Sequence, residues 1–301
     1  MKGQLIIVDE VDSTNLAVRK QFSQLPDGSL FCALSQSAGR GRLNRRWITS
    51  SGSAICATGV FKDVDVPFHA GAVIALAALE LISGKLGDER AYFKWPNDIY
   101  IGSRKLAGIL SEGIFEKGKI TRIDGMSGLG KSTLLKLIMG DYQPLEGTIS
   151  YGGISISQFR PAEWRDMAAY VEQRPAILNA SILENITLGK ENPDISRVLE
   201  ICRELNMDQM ISRFPQGLLT NAGSGGMGLS GGECQKIGIA RALYKDPRIY
   251  IFDEATSSMD PASEECAARC IYRLRDSGKT VIAVSHKGDG AIIADNVVQL
   301  K

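Results

Sequence analysis

With 301 residues, 44% of them hydrophobic and 23% charged, the chain has the composition of a soluble globular protein with room for one large or two medium domains. Disordered and fibrous classes are excluded on that basis. A formal net charge of +1 gives no global attraction to nucleic acid or anionic membrane, so no nucleic-acid partner is expected and any polyanion contact is local. Cysteines 32, 56, 202, 234, 266 and 270 form no C-x-x-C pair, and Cys266 and Cys270 are expected as small hydrophobes on one helix face, which suits a reducing cytoplasm. Asp9 and Glu10 leave no apolar leader, so a soluble protein that stays in the cytoplasm is expected.

From the N-terminus, Asp12-Ser-Thr-Asn15 precedes a helix, and short polar side chains there are natural N-caps. The run Ser35-Gln-Ser-Ala-Gly-Arg-Gly-Arg42, followed by Arg45-Arg-Trp47, combines glycine flexibility, guanidinium forks and an indole. That suits a phosphate beside an aromatic base, and equally a solvated basic loop or a nucleic-acid patch. Ala70 to Leu79 is the longest apolar run, too short to cross a bilayer and ended by Glu80, and it predicts a buried helix. In Lys94-Trp-Pro-Asn-Asp98 a proline locks a turn that offers Asn97 and Asp98, and Ile99-Tyr-Ile101 leads through Gly102-Ser to Lys105 in a hairpin.

Together these motifs resemble the biotin protein ligases over residues 5 to 113. The resemblance implies a mixed α/β segment in which Ser13, Thr14, Asn15 and Gln36 line a biotin pocket. Gly39, Arg40 and Arg42 would hold the carboxyl-phosphate end of biotinyl-adenylate, and Trp47 would pack near adenine. Asn97 and Asp98 would face nucleotide and Mg²⁺, and Lys105 would stabilise charge as the biotin carboxylate attacks the α-phosphate. The implied partner is a biotin carrier protein. The family's next strand ends in a Gly-x-Gly-x-Asn turn that closes the pocket, whereas residues 120 to 128 here read Ile-Thr-Arg-Ile-Asp-Gly-Met-Ser-Gly.

Ile120–Asp124 predicts a strand, although Thr, Arg and Asp are unusual in a central parallel strand. Gly125-Met-Ser127-Gly128-Leu-Gly130-Lys131-Ser132 then fits G-x-x-x-x-G-K-[ST]. Its glycines let backbone N–H groups turn toward phosphate oxygens, Lys131 reaches the β/γ-phosphates and Ser132 holds Mg²⁺; alone, the motif could also be a chance glycine-rich turn. Thr133 to Met139 has helical apolar spacing, with Gly140 as its stop. Farther on come Gln173 in Tyr-Val-Glu-Gln, Leu229-Ser230-Gly231-Gly232-Glu233 before a helix, and Ile249 to Phe252 as a buried strand ending in Asp253 and Glu254. A second buried strand from Lys279 presents His286, which on its own reads as structural.

These five motifs, in this order, resemble the ATP-binding-cassette ATPases over residues 118 to 301. By that resemblance, Gly125, Ser127, Gly128, Gly130, Lys131, Ser132 and Thr133 bind ATP. Ser132, Asp253 and Gln173 meet Mg²⁺, Glu254 is the catalytic base and His286 contacts the γ-phosphate. Two copies would sandwich two nucleotides head to tail, with Ser230, Gly231 and Gly232 completing the partner's site, and a transmembrane subunit would recruit the dimer to a membrane. Asn179 to Ile186 resembles the exporter branch. The family's first strands, which carry an adenine-stacking aromatic, and its customary C-terminal elements have no counterpart, and Ser258-Met-Asp260 varies the usual dimer-contact loop.

One resemblance fades where the other begins, between Glu112 and Asp124. The expected fold is therefore α/β throughout: a partial ligase-like mixed domain over 1–117, then a P-loop ATPase domain with a mostly parallel sheet over 118–301. The ligase segment is expected to be the less stably packed, because a sheet lacking strands exposes apolar surface. Three functions remain in view: ATP hydrolysis, biotin transfer to a carrier-protein lysine, and a fusion that is inactive or binds without turnover.

Overall fold

The computed structural model describes residues 3–41, 46–47, 49, 52, 54–62, 67–84, 91–94, 97–115, 117–144, 147–152, 154–223, 228–285 and 292–300. It divides into two compact units, Met1–Gly113 with Pro144–Thr148, and Ile114–Gln143 with Ile149–Lys301.

In the first unit, strand β1 (Leu5–Val11), helix α1 (Thr14–Lys20) and strand β2 (Leu30–Gln36) form a parallel unit. After the short pair β3 (Gly39–Arg40) and β4 (Arg46–Trp47), strand β5 (Cys56–Gly59) adds antiparallel to β2. Val18, Leu25, Phe31 and Val60 make the small core under this sheet. Its opposite face stays open: Leu5 and Ile7 are 65% and 64% exposed, and Leu30 and Leu34 are exposed beside them. Helix α2 (Pro67–Ser83) precedes an antiparallel meander of β6 (Ala91–Lys94), β7 (Asp98–Ile101) and β8 (Arg104–Gly108). The hairpin expected between Ile99 and Lys105 is present, turning at Gly102 with φ 55°, where an L-residue would be strained.

The burial expected of the run from Ala70 to Leu79 holds only in part over residues 74–79, the part of the run whose side chains are described. Ala75 is buried, but Ile74 and Leu76 are exposed, as is Leu81 beyond the run. A helix apolar on nearly all sides needs neighbours on more than one face.

The second unit contains a wholly parallel five-stranded sheet. Its strands are β9 (Ile120–Asp124), β12 (Ala168–Val171), β13 (Ile249–Asp253), β14 (Thr280–Val284) and β15 (Asn296–Gln299), in the order β12-β13-β14-β9-β15. Every residue of β13 and β14 is buried, as continuous apolar runs covered on both faces require. Helices α3 (Lys131–Met139) and α4 (Pro161–Met167) flank a small hairpin of β10 (Ser150–Tyr151) and β11 (Ile154–Ser155). Trp164 anchors α4, its buried indole N–H donating to the Ile138 carbonyl at 3.0 Å. The remaining helices are α5 (Ile182–Thr187), α6 (Ile195–Glu204), α7 (Asp208–Ser212), α8 (Gly231–Lys245) and α9 (Pro261–Asp276). They bury the larger core, which includes Ile186, Val198, Met207, Ile237, Tyr250 and Ile271.

The polar residues of β9 are accommodated in two ways. Thr121 is buried, and Arg122 with Asp124 forms a two-pronged ion pair on one strand face, Nε to Oδ1 at 2.8 Å and Nη2 to Oδ2 at 2.9 Å. Ile120 and Ile123 supply its apolar anchors. Burial pushes the Cys202 and Cys270 thiols up to about 11, which leaves both as inert core side chains.

Candidate functional site

All five strands run the same way, so their C-terminal ends lie along one edge of the sheet, where open α/β sheets bind ligands. Asp253 pairs in register with Val284, and Val284 with Ile123. Asp253 is therefore two strands, or about 10 Å, from the start of the glycine loop. The loop turns at Gly128 and Gly130, both with φ near 85°, and α3 begins at Lys131. Gly125 is needed for a different reason: a Cβ there would stand 2.9 Å from the Leu300 carbonyl oxygen.

Lys131 is buried, and its Nζ donates to the carbonyls of Gly125 and Met126 at 2.6 and 3.0 Å. The ammonium thus closes the loop on itself. Ser127, Gly128, Ser132 and Thr133 are exposed around it. At the end of α3, the amides of Gly140 and Asp141 donate to Leu137 and Lys136, so the helix stops at Gly140 as expected.

At the ends of β12 and β13, two carboxylates are held by neighbours. Asp253 is buried, and its Oδ2 accepts the Tyr170 hydroxyl at 2.7 Å. Burial first, then the Asp253 carboxylate, raises the Tyr170 pKa far above the ordinary phenol value, so the O–H remains a donor. Glu254 adopts a left-handed φ of 50°, rare for a residue with a Cβ, and its Oε2 accepts from Gln173 Nε2 at 2.7 Å. Gln173 and Glu254, 81 residues apart, are brought together. Ser132, Asp253 and Gln173 offer hard oxygen donors of the kind Mg²⁺ takes, but no group of three or more His, Cys, Asp or Glu forms a metal cage among the described residues. Such a donor set suits a magnesium ion that takes part of its oxygen shell from other ligands.

Ser230 caps α8. Its hydroxyl accepts from Glu233 N at 3.3 Å, and Glu233 Oε2 accepts from Ser230 N at 2.8 Å, while Arg213 pairs with the same carboxylate. Gly232 lies tight against the 257–259 loop, where a Cβ would stand 2.7 Å from the Ser258 carbonyl oxygen. Among the described residues, no hydrogen bond joins residues 230–232 to the loop at 125–132. His286 lies outside the described residues.

In the first unit, the residues at the start of α1 form a connected polar group. Thr14 N donates to Gln36 Oε1 at 2.7 Å, and the Thr58 hydroxyl lies 2.8 Å from Thr14 Oγ1 and 2.5 Å from Asn15 Oδ1. Ser13 is buried beside them and is the N-cap residue of α1, but it makes no side-chain cap bond, so capping does not account for this cluster. A second group gathers on the meander. Lys105 Nζ is 2.7 Å from Asp98 Oδ1 and 5.1 Å from the Trp47 ring centroid, and Asn97 Nδ2 donates to the Ile109 carbonyl at 2.7 Å. Gly39 links the groups, since it pairs with Trp47 and a Cβ on it would lie 3.2 Å from Gln36 Nε2. Arg40 is exposed; Arg42, Arg45, Trp95 and Pro96 lie outside the described residues.

Three side chains at these sites carry no role in the sequence analysis: Tyr170, although it opens the Tyr-Val-Glu-Gln run, Thr58 and Gln235. Gln235 carries the one available signal, an amide on the buried stripe of α8 that also holds Ile239 and Ala242.

Comparison with known proteins resolves the two halves. Residues 112–257 match the ABC transporter family, and residues 6–127 match the biotin/lipoate A/B protein ligase family. The chain thus matches a ligase family model over one stretch and an ABC transporter family model over the next, consistent with a chimera. The two matches overlap across β9 and into the glycine loop. The chain is 41% identical over 186 residues to the heterocyst differentiation ATP-binding protein HepA of Nostoc sp., covering 62% of this chain and 30% of that protein. It is 38% identical over 184 residues to the mitochondrial potassium channel ATP-binding subunit of Xenopus tropicalis, covering 61% and 27%. A solved bacterial Atm1-family ABC exporter with ATP bound superposes at a TM-score of 0.59 with 31% identity, over 70% of this chain and 36% of that one. The chain thus spans less than a third of these curated relatives. No described helix is long and apolar enough to cross a membrane.

Proposed function

We propose that residues 118–301 bind and hydrolyse ATP as the nucleotide-binding domain of an exporter-like ABC transporter. The observation that carries this reading is the Gln173–Glu254 bond at the sheet edge that also holds the Lys131 loop. Loop N–H groups and the start of α3 would cradle the phosphates, with Lys131 turning from the Gly125 carbonyl to the β/γ oxygens. Glu254, on its strained backbone, would take the proton of a water that attacks the γ-phosphorus as the bond to the β-phosphate oxygen breaks. Ser132, Asp253 and Gln173 would hold Mg²⁺, which neutralises charge on the phosphates when bound. The cap at Ser230 presents a helix N-terminus suited to the phosphates of a second copy, so turnover would need a head-to-tail dimer. Transport would further need a transmembrane partner, which would bring a cytoplasmic protein to the membrane. The test is Mg²⁺-dependent phosphate release: Glu254→Gln should lower kcat by about 100-fold or more while ATP still binds, and release unchanged by that substitution would refute the assignment.

A second reading, for residues 1–117, is biotinyl-adenylate formation and transfer to a biotin carrier protein. It rests on Thr14, Asn15 and Gln36 sharing one hydrogen-bonded group, and on Lys105 lying between Asp98 and Trp47. Biotin transfer to an acceptor domain that Lys105→Ala abolishes would support it; no biotin binding at millimolar ligand would end it.

A further inference from the structure

Helix α8 is fastened along one face to the strand and loop at 168–176. Lys245 Nζ donates to the Ala168 carbonyl at 2.9 Å, and Arg241 Nη2 donates to the Ala176 carbonyl at 3.1 Å. At Gly238 the helix approaches so closely that a Cβ would stand 2.6 Å from Pro175 Cγ. Gln235, one turn earlier, is the polar member of this face nearest the candidate site, and it is 1% exposed.

Its amide makes four contacts from one buried position. Nε2 donates to the Gln173 carbonyl at 2.9 Å, the Glu254 carbonyl at 3.3 Å and the Ser257 hydroxyl at 3.1 Å, while Oε1 accepts from Ser258 N at 2.9 Å. The orientation of the amide is fixed by chemistry, since carbonyls can only accept and a backbone N–H can only donate. Gln235 therefore grips the main chains of both residues whose side chains meet in the Gln173–Glu254 bond. It also ties them to the 257–258 loop, which packs under Gly231 and Gly232. Glu254 has particular need of this. Its left-handed backbone persists only if both its amide and its carbonyl are held, and they are: the amide donates to Val284 O at 3.1 Å, and the carbonyl accepts from Ser257 N at 3.1 Å as well as from Gln235.

We propose that Gln235 is a positioning residue that holds Gln173 and Glu254 in mutual register for ATP hydrolysis, acting through their main chains and touching no nucleotide. The proposal rests on the ATPase reading for its kinetic consequence and on geometry alone for its local one, so two measurements separate them. Gln235→Leu keeps the bulk and removes every polar contact; Gln235→Glu keeps the acceptor for Ser258 N and removes the paired donors.

In both variants, hydrogen exchange at Ser258 and across residues 172–176 should rise about tenfold or more, with exchange in the α3 segment Leu134–Ile138 unchanged. Steady-state ATPase assays should show kcat lowered by about 100-fold and the KM for ATP within about twofold of the parent. Exchange unchanged at Ser258 and 172–176 in both variants would overturn the proposal, even if the parent protein hydrolyses no ATP. Faster local exchange with unaltered kcat would overturn it as well. A parent without ATPase activity defeats the assignment of function, and the exchange result still decides the grip. Should Gln235→Leu fail to fold, Gln235→Glu carries both measurements.

Discussion

Arg122 and Asp124 are joined by two parallel hydrogen bonds while sitting two residues apart on the strand that leads into the glycine loop. Each side chain is largely shielded, at 15% and 17% exposed. The hydrogen bond to Asp124 raises the Arg122 pKa, so the guanidinium stays charged throughout the accessible pH range. Asp124→Ala leaves that charge shielded without its partner and should destabilise the protein by roughly 1.5–3 kcal/mol. Replacing both residues with Val should recover most of the loss, because an apolar pair on a parallel strand needs no compensating charge. Urea unfolding of the single and double variants measures the coupling; a double variant no better than Asp124→Ala would contradict it.

Lys131→Ala removes two hydrogen bonds that close the loop as well as the cation that would meet phosphate. The expected loss in ATP affinity is about 1.5–3 kcal/mol, roughly a 10- to 100-fold rise in Kd, since bonds to charged groups lie in that range. Titration calorimetry with ATP checks this, and a Kd within twofold of the parent would count against a phosphate-facing lysine.

Three carboxylates at helix starts titrate below their ordinary values. Glu163 is lowered by Arg160, Glu184 by the Ser181 hydroxyl and amide, and Asp260 by the Ser263 hydroxyl and amide. A carboxyl with a depressed folded-state pKa adds stability above its unfolded value and loses it as pH falls through the folded value. Thermal stability should therefore hold at neutral pH and decline below the normal carboxylate range. Asp260→Asn should flatten that acid limb. An acid limb of unchanged steepness in Asp260→Asn would show that this cap does not contribute to it.

The first unit should open more easily than the second. Leu5, Ile7, Leu30 and Leu34 expose one sheet face, and Leu76 and Leu81 expose much of α2, whereas β13 and β14 are wholly buried. Amides of β1 and β2 are expected to exchange about 100-fold faster or more than those of β13 and β14, since protection follows buried apolar contact. Equal protection in the two sheets would be inconsistent with this packing.

Legibility from sequence follows how local the determining physics is. The loop, α3, its stop at Gly140 and the hairpin through Gly102 depend on backbone preferences a few residues long, and all are where the sequence places them. The strand at 249–253 is equally legible, because only burial on both faces tolerates an unbroken apolar run. What sequence leaves hidden is decided by long-range partners. Tyr170 meets Asp253 across 83 residues, and Gln235 reaches Gln173 across 62, so neither contact lies within a contiguous motif. Asn185 is similar: it is fully buried, and its Oδ1 accepts from Leu178 N at 2.8 Å, ordering the loop before α5. The mixed burial of residues 74–79 has the same root, since composition states a need for cover and says nothing of whether cover is supplied.

Strand β9 falls inside both family matches, yet its two edges are filled by β14 and β15. A strand has only two hydrogen-bonding edges, so residues 120–124 cannot at the same time extend a sheet of the first unit. The two family matches overlap on these five residues. A substitution that strengthens the β14–β9–β15 ladder secures the strand that leads into the glycine loop and leaves it less free to pair elsewhere. Loosening that ladder would free the strand only by dismantling the sheet edge on which Lys131 and Asp253 depend.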